Sequence, residues 1–144
     1  MKISARNVFD GTVSACRLDP VSAEVELTTA GGDKIVAIVT SESAELLGLQ
    51  VGLPATAVIK APWVMLLNGG ANSRFSARNQ LTGTVSHIQR GGVNTEVAVT
   101  LPGGAVIHSV VTNEAIMELG LSVGSPATAL IKASDVVLGV RDQS

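Results

Sequence analysis

What most constrains this chain is that it is written twice. Ser4-Ala5-Arg6-Asn7 returns as Ser76-Ala77-Arg78-Asn79, an offset of 72 residues. From there the halves align without a gap. Gly11-Thr12-Val13-Ser14 returns as Gly83-Thr84-Val85-Ser86, Pro54-Ala55-Thr56-Ala57 as Pro126-Ala127-Thr128-Ala129, and Ile59-Lys60-Ala61 as Ile131-Lys132-Ala133. About half of the aligned positions are identical, the signature of one duplicated module. The reading is a module over 1–68, a glycine-rich linker over 69–74 and a second module over 75–144.

A module near 70 residues buries only a thin core. Yet 46% of the 144 residues are hydrophobic and only 15% are charged. The surplus apolar surface is expected to be covered by the other repeat and by further copies of the chain. The net charge of -2, and rings only at Phe9, Trp63 and Phe75, argue against a nucleic-acid surface, which needs a basic face and stacking platforms. Cys16 is the only cysteine, so there is no disulfide or zinc pattern. Met1-Lys2-Ile3-Ser4 runs straight into the repeated motif, and no apolar run approaches about 18 residues. These features point to a cytoplasmic protein that does not enter membranes.

Within each module the pattern reads strand, strand, strand, short helix, strand, strand. Residues 2–17 lack helical spacing and contain Gly11, which marks a bulge or a corner. Val21 to Leu27 alternates apolar and polar. Gly31-Gly32 and Gly103-Gly104 close hairpins. Thr40 and Thr112 suit helix N-caps, and Gly48 and Gly120 suit left-handed C-caps. Final strands are expected from Trp63 to Leu67 and from Val136 to Val140. Five strands with one helix between the third and fourth is the order of an OB-type barrel, so the fold class is all-β, two OB-like five-stranded barrels with one short helix each.

Catalytic chemistry finds little support. His87 and His108 face Ala15 and Val36 in the other copy, and read as surface or strand-end histidines. No serine lies in a nucleophile elbow, no metal-ligand spacing occurs and no phosphate loop is present. Among acids only Glu24/Glu96 and Glu42/Glu114 match, and they read as solvated or capping groups. Both copies keep instead a cationic and hydroxylic set that includes Ser4/Ser76, Arg6/Arg78 and Lys60/Lys132, and only the last two pairs are basic in both. An arginine fork, a lysine charge, a hydroxyl and free backbone N–H groups suit a small tetrahedral dianion. On spacing alone a second reading stands beside it: edge charges that discourage aggregation or pair with Glu24.

At these residues the sequence resembles the Mop domain. The resemblance rests on Ser-Ala-Arg-Asn followed by Gly-Thr-Val, on Val-Thr-x-Glu near the helix, and on Ile-Lys-Ala. Two copies with nothing else resemble the tandem Mop (di-Mop) molybdate-binding proteins of the ModG type. That resemblance implies a non-enzymatic, cytoplasmic protein that binds molybdate or tungstate for storage or homeostasis. It implies ions held between barrels of a homotrimer, with no other cofactor and no metal ligated directly by side chains. An oligomeric scaffold without specific oxyanion binding is the alternative. Carried over residue by residue, the implied oxyanion residues are Ser4, Ala5, Arg6, Lys60 and Ala61, and Ser76, Ala77, Arg78, Lys132 and Ala133. Thr40, Ser43 and Thr112 near the helix starts join them. Ala115 stands opposite Ser43, and Ser134, opposite Pro62, offers a compensating hydroxyl. A second kind of site, built from backbone, is implied at Val21 and Ser22 and at Val93 and Asn94.

Overall fold

The computed structural model describes residues 2–70 and 74–141; residues 71–73, inside the expected 69–74 linker, lie outside the described residues. The first repeat gives β1 (Asn7–Leu18), β2 (Ser22–Thr29), β3 (Lys34–Thr40), α1 (Ser41–Leu47), β4 (Pro54–Ile59) and β5 (Met65–Asn68). The second gives β6 (Asn79–Arg90), β7 (Asn94–Thr100), β8 (Val106–Thr112), α2 (Asn113–Leu119), β9 (Pro126–Ile131) and β10 (Val137–Gly139). The expected order is present. Two five-stranded antiparallel sheets form the OB-like barrels, each with one short helix.

Local chemistry accounts for the elements. β1 serves two neighbours, with Gly11 opposite both Thr29 of β2 and Ala55 of β4. A Cβ at Gly11 would stand 2.5 Å from the Thr28 carbonyl oxygen, so the backbones meet there because the residue has no side chain. The register then slips between Val13 and Ala15, a bulge that bends the strand. Each helix begins on a threonine whose Oγ1 accepts an N–H three residues on, from Ser43 at 3.0 Å and from Ala115 at 3.1 Å. Each ends on a left-handed glycine, Gly48 at φ 67° and Gly120 at φ 65°.

One aspect of the fold departs from the simple reading of the repeats. The closing strand of each barrel comes from the other repeat: β5 pairs with β9, and β10 pairs with β4. The sheet orders are β10-β4-β1-β2-β3 and β5-β9-β6-β7-β8. The cause lies in the residues after β4 and β9. Ala61–Trp63 and Ala133–Asp135 form 3-10 turns rather than the first residues of a strand, so Trp63 stands outside β5. Ala61 and Ala133 are buried, and the turns direct the chain onto the opposite barrel. Ser109 Oγ of β8 donates to the Val64 carbonyl at 2.6 Å, fixing one crossing.

The asparagine of the repeated motif fixes the rest. Asn7 is 1% exposed; its side-chain amide donates to the His108 carbonyl at 2.8 Å and accepts from the His108 N–H at 2.7 Å. Asn79 treats Val36 in the same way, at 2.8 and 2.7 Å. Each amide acts as a spare peptide group for the outer strand of the other repeat's sheet, where ladder partners run out. At the hairpin tips Asp33 accepts N–H groups of Gly103 and Ala105, and Gly31 lies against Gly103 too closely for any Cβ. The result is one continuous apolar core drawn from both repeats, including Val25, Leu27, Ile59, Val97, Ile107 and Ile131. Val21, Leu46, Val93 and Met117 remain largely exposed at the edges.

Asn79→Ala removes the amide that pairs both backbone groups of the half-buried Val36 and leaves them unpaired. We expect a loss of about 2–4 kcal/mol in chemical denaturation; a loss below about 0.5 kcal/mol contradicts the clamp.

Candidate functional site

The duplicated cations leave the strand ends side by side. Asn7 is paired with Ile59, so the next residues outward are Arg6 on one strand and Lys60 on its neighbour. Asn79 pairs with Ile131 in the same way and sets Arg78 beside Lys132. The buried asparagine therefore anchors the strand end from which each arginine departs.

Both arginines cross to the other repeat. Arg78 donates through Nη1 and Nη2 to the two oxygens of Glu24, at 2.9 and 2.5 Å. Arg6 Nη2 donates to Glu96 Oε1 at 2.8 Å. The matched pair Glu24/Glu96 is thus the counter-charge of the matched pair Arg78/Arg6; the sequence alone offers Glu24 as a partner for the edge charges of its own repeat, and the structure pairs it across the repeats instead. The surroundings differ between the two. Arg17 Nη2 lies 3.7 Å from Glu24, whereas His108 Nδ1 lies 3.2 Å from Glu96 Oε1. His108 sits in the middle of β8 and is largely covered, unlike the strand-end residue expected. Arg78's hydrogen bond holds the Glu24 carboxyl below the usual glutamate range, and Glu24 in turn raises the Arg78 guanidinium.

Each guanidinium remains about half exposed and keeps further N–H groups beyond those given to the carboxylate. Among the described residues no carboxylate pairs with Lys60 or Lys132; Lys60 Nζ stands over the Trp63 ring, 5.8 Å from its centre. Ser4 and Ser76 are exposed, Ala5 and Ala77 half-buried. In repeat two Gln80 holds the approach to the motif by donating to the Phe75 and Ala77 carbonyls, both at 3.1 Å; Val8 has no such amide.

The strand exchange gathers the hydroxyls on one side. Thr40 and Ser43 of repeat one and Ser134 of repeat two line a single cavity of about 430 Å³, floored by Ile38, Leu47, Val136 and Leu138. Thr40 Oγ1 donates to Ser43 Oγ at 2.8 Å. Ile38 faces Glu24 in the β2–β3 ladder, so this cavity adjoins the Arg78–Glu24 pair. The positions related by the duplication are Thr112, Ala115 and Pro62, which keep one hydroxyl of the three. One inter-repeat edge is thus rich in donors and the other is depleted.

The backbone stretch at Val21 and Ser22 already has an anion on it. Asp19 Oδ1 accepts both N–H groups, each at 2.7 Å, and these bonds, from Ser22 first, hold the Asp19 carboxyl low. At Val93 and Asn94 the matching position is Gly91, which supplies no carboxylate. Among the described residues no group of three or more His, Cys, Asp or Glu side chains is placed to hold a metal, and no helix is long and apolar enough to cross a membrane. Two contributions escaped the sequence reading: the asparagine clamps, and the fact that the arginine–glutamate pairs cross from one repeat to the other. Identity of Asn7/Asn79 and Glu24/Glu96 between copies was the available signal, but their partners lie in the other repeat.

The TOBE domain pattern matches residues 3–66 and again 76–138. The molybdenum transport protein ModE of Herbaspirillum seropedicae is 46% identical over 98% of this chain, and the molybdenum-pterin-binding protein MopA of Rhodobacter capsulatus is 44% identical over 97%. The matches cover 52% and 53% of those proteins' own lengths, so this chain spans about half of the curated relatives it matches. A crystal structure of the cytoplasmic molybdate-binding protein ModG, with molybdate bound, superposes with a TM-score of 0.92 at 56% identity, covering 98% of this chain and all of that one.

Because Glu24 is held below its ordinary value of 4.5, its pairing stabilises the fold above that value and stops doing so as pH falls through the folded value. The stability advantage of the native chain over Glu24→Gln should be present at pH 7 and shrink steadily below pH 4.5. An advantage that stays constant through the acid range contradicts the pairing.

Proposed function

Because this chain belongs to the TOBE-domain family, as a tandem Mop pair of the ModG type, we propose that it binds molybdate, or the similar tungstate, as a non-enzymatic cytoplasmic store or buffer of the ion. The observation that carries this reading is the full-length likeness to ModG, a protein solved with molybdate bound. The geometry supports it. Two arginine–lysine pairs, each set at an inter-repeat edge, bring the charge that a tetrahedral dianion requires.

The stronger edge on this reading joins Ser76, Ala77, Arg78, Lys132, Ala133 and Ser134 with Thr40 and Ser43. Arg78 supplies its free N–H groups, Lys132 a point charge, the hydroxyls and turn amides the neutral donors. The edge with Ser4, Ala5, Arg6, Lys60, Ala61 and Thr112 has Ala115 and Pro62 where its counterpart has hydroxyls, and binds more weakly. The exposed Val21, Leu46, Val93 and Met117 support an oligomer, for which the family resemblance gives a homotrimer. Val93 and Asn94 then offer open backbone to a further ion, while Val21 and Ser22 are held by Asp19.

Isothermal titration should give binding heat with molybdate and little with sulfate. Arg78→Ala removes a charge-assisted contact worth roughly 1.5–3 kcal/mol and should weaken the strongest site by about ten- to a hundredfold. Unchanged affinity in that variant, or equal heats for the two anions, contradicts the proposal and leaves an oligomeric scaffold as the reading.

A further inference from the structure

We propose that Glu24 and Glu96 are affinity-limiting residues, internal carboxylates that compete with the bound oxyanion for Arg78 and Arg6 and keep it releasable. This rests on the proposed oxyanion role of the two arginines and adds to it. The function of a carboxylate beside an anion site is otherwise hard to place, since it carries the same sign as the cargo.

Three observations converge. Both carboxylates reach their arginines from the opposite repeat, so the pairing follows from the interlocked fold and not from neighbours on one strand. Both acids recur at the same position of the duplicated module as the arginines they meet do at theirs. The pairing is two-pronged at Arg78, where both Nη atoms are engaged, and single at Arg6. A carboxylate and a tetrahedral oxyanion present the same pair of acceptor oxygens to a guanidinium edge, so Glu24 occupies the edge an ion would use for a two-pronged contact. An ion bound to the remaining N–H groups instead sits close to a fixed negative charge. A single negative charge a few ångströms from a dianion, in a water-like medium, changes an equilibrium by about tenfold.

The arrangement also explains why Lys60 and Lys132 have no carboxylate partners among the described residues. The lysine draws the ion in, and the glutamate holds the arginine ready while opposing full capture. Glu24 also lies 3.7 Å from Arg17 Nη2, so this acid has a second cation to turn to when an ion takes its arginine, and Glu96 lies beside the His108 ring.

Glu24→Gln and Glu96→Gln in the full chain separate competition from positioning. Glutamine keeps the size and one acceptor oxygen, so it preserves a hydrogen bond to the arginine while removing the charge. Molybdate titrations at low and at moderate salt should show about tenfold tighter binding at the altered edge, with the gain shrinking as salt rises. The melting temperature without molybdate should fall, because the ion pair is lost. Opposite signs for affinity and stability are what competition requires. If the native chain binds molybdate and both variants bind it equally or more weakly, the glutamates position the arginines and the inference is overturned. If the native chain binds no molybdate, the inference falls together with the reading it rests on. Should Glu24→Gln fail to fold, Glu96→Gln, which loses only one hydrogen bond partner's charge, carries the same test.

Discussion

The structure depends on two buried side-chain amides. Asn7 and Asn79 each complete the hydrogen bonding of an outer strand in the other repeat, at a depth where unpaired backbone groups are costly. Exchange of β5 and β10 does the same on the opposite side of each sheet. Neither repeat can close its barrel or satisfy its edge without the other. This answers the composition problem: a module of this size cannot bury so apolar a sequence alone, and a shared core lets it do so.

The interlock decides where charge appears. An arginine one residue before the clamping asparagine is carried to the seam between repeats, where the only matched acid of β2 or β7 waits. The 3-10 turn after β4 or β9 brings a lysine and a buried alanine to the same seam. Two seams related by duplication start with the same ionic skeleton. Substitution has since made them unequal, since Ser43 and Ser134 fall on one seam while Ala115 and Pro62 fall on the other. Duplication keeps the scaffold while the hydroxyls around it differ between the two seams.

Much of the fold was legible because its signals are local. Helix caps at Thr40 and Gly48, hairpin glycines, the bend at Gly11 and the alternation in β2 depend on near neighbours, and each stands where the sequence places it. The strand exchange was not legible. Which sheet receives β5 depends on the path of a three-residue turn, and both choices present the same alternation to a reader of one chain. Of the site, the cationic residues could be named because both copies keep them. Pairing with Glu24 was one reading of those charges, but the crossing was not legible, because Arg78 and Glu24 are 54 residues apart and belong to different repeats. The gathering of Thr40, Ser43 and Ser134 was hidden for the same reason: it exists only once β10 has crossed over.

The central claim is that the interlocked seam, and not either barrel alone, assembles the oxyanion site. Anomalous scattering at the metal edge from crystals grown with molybdate tests it most directly. The account predicts a strong peak at the seam beside Arg78 and Lys132, within reach of the Thr40, Ser43 and Ser134 hydroxyls. Ions found only away from both arginine–glutamate seams contradict it.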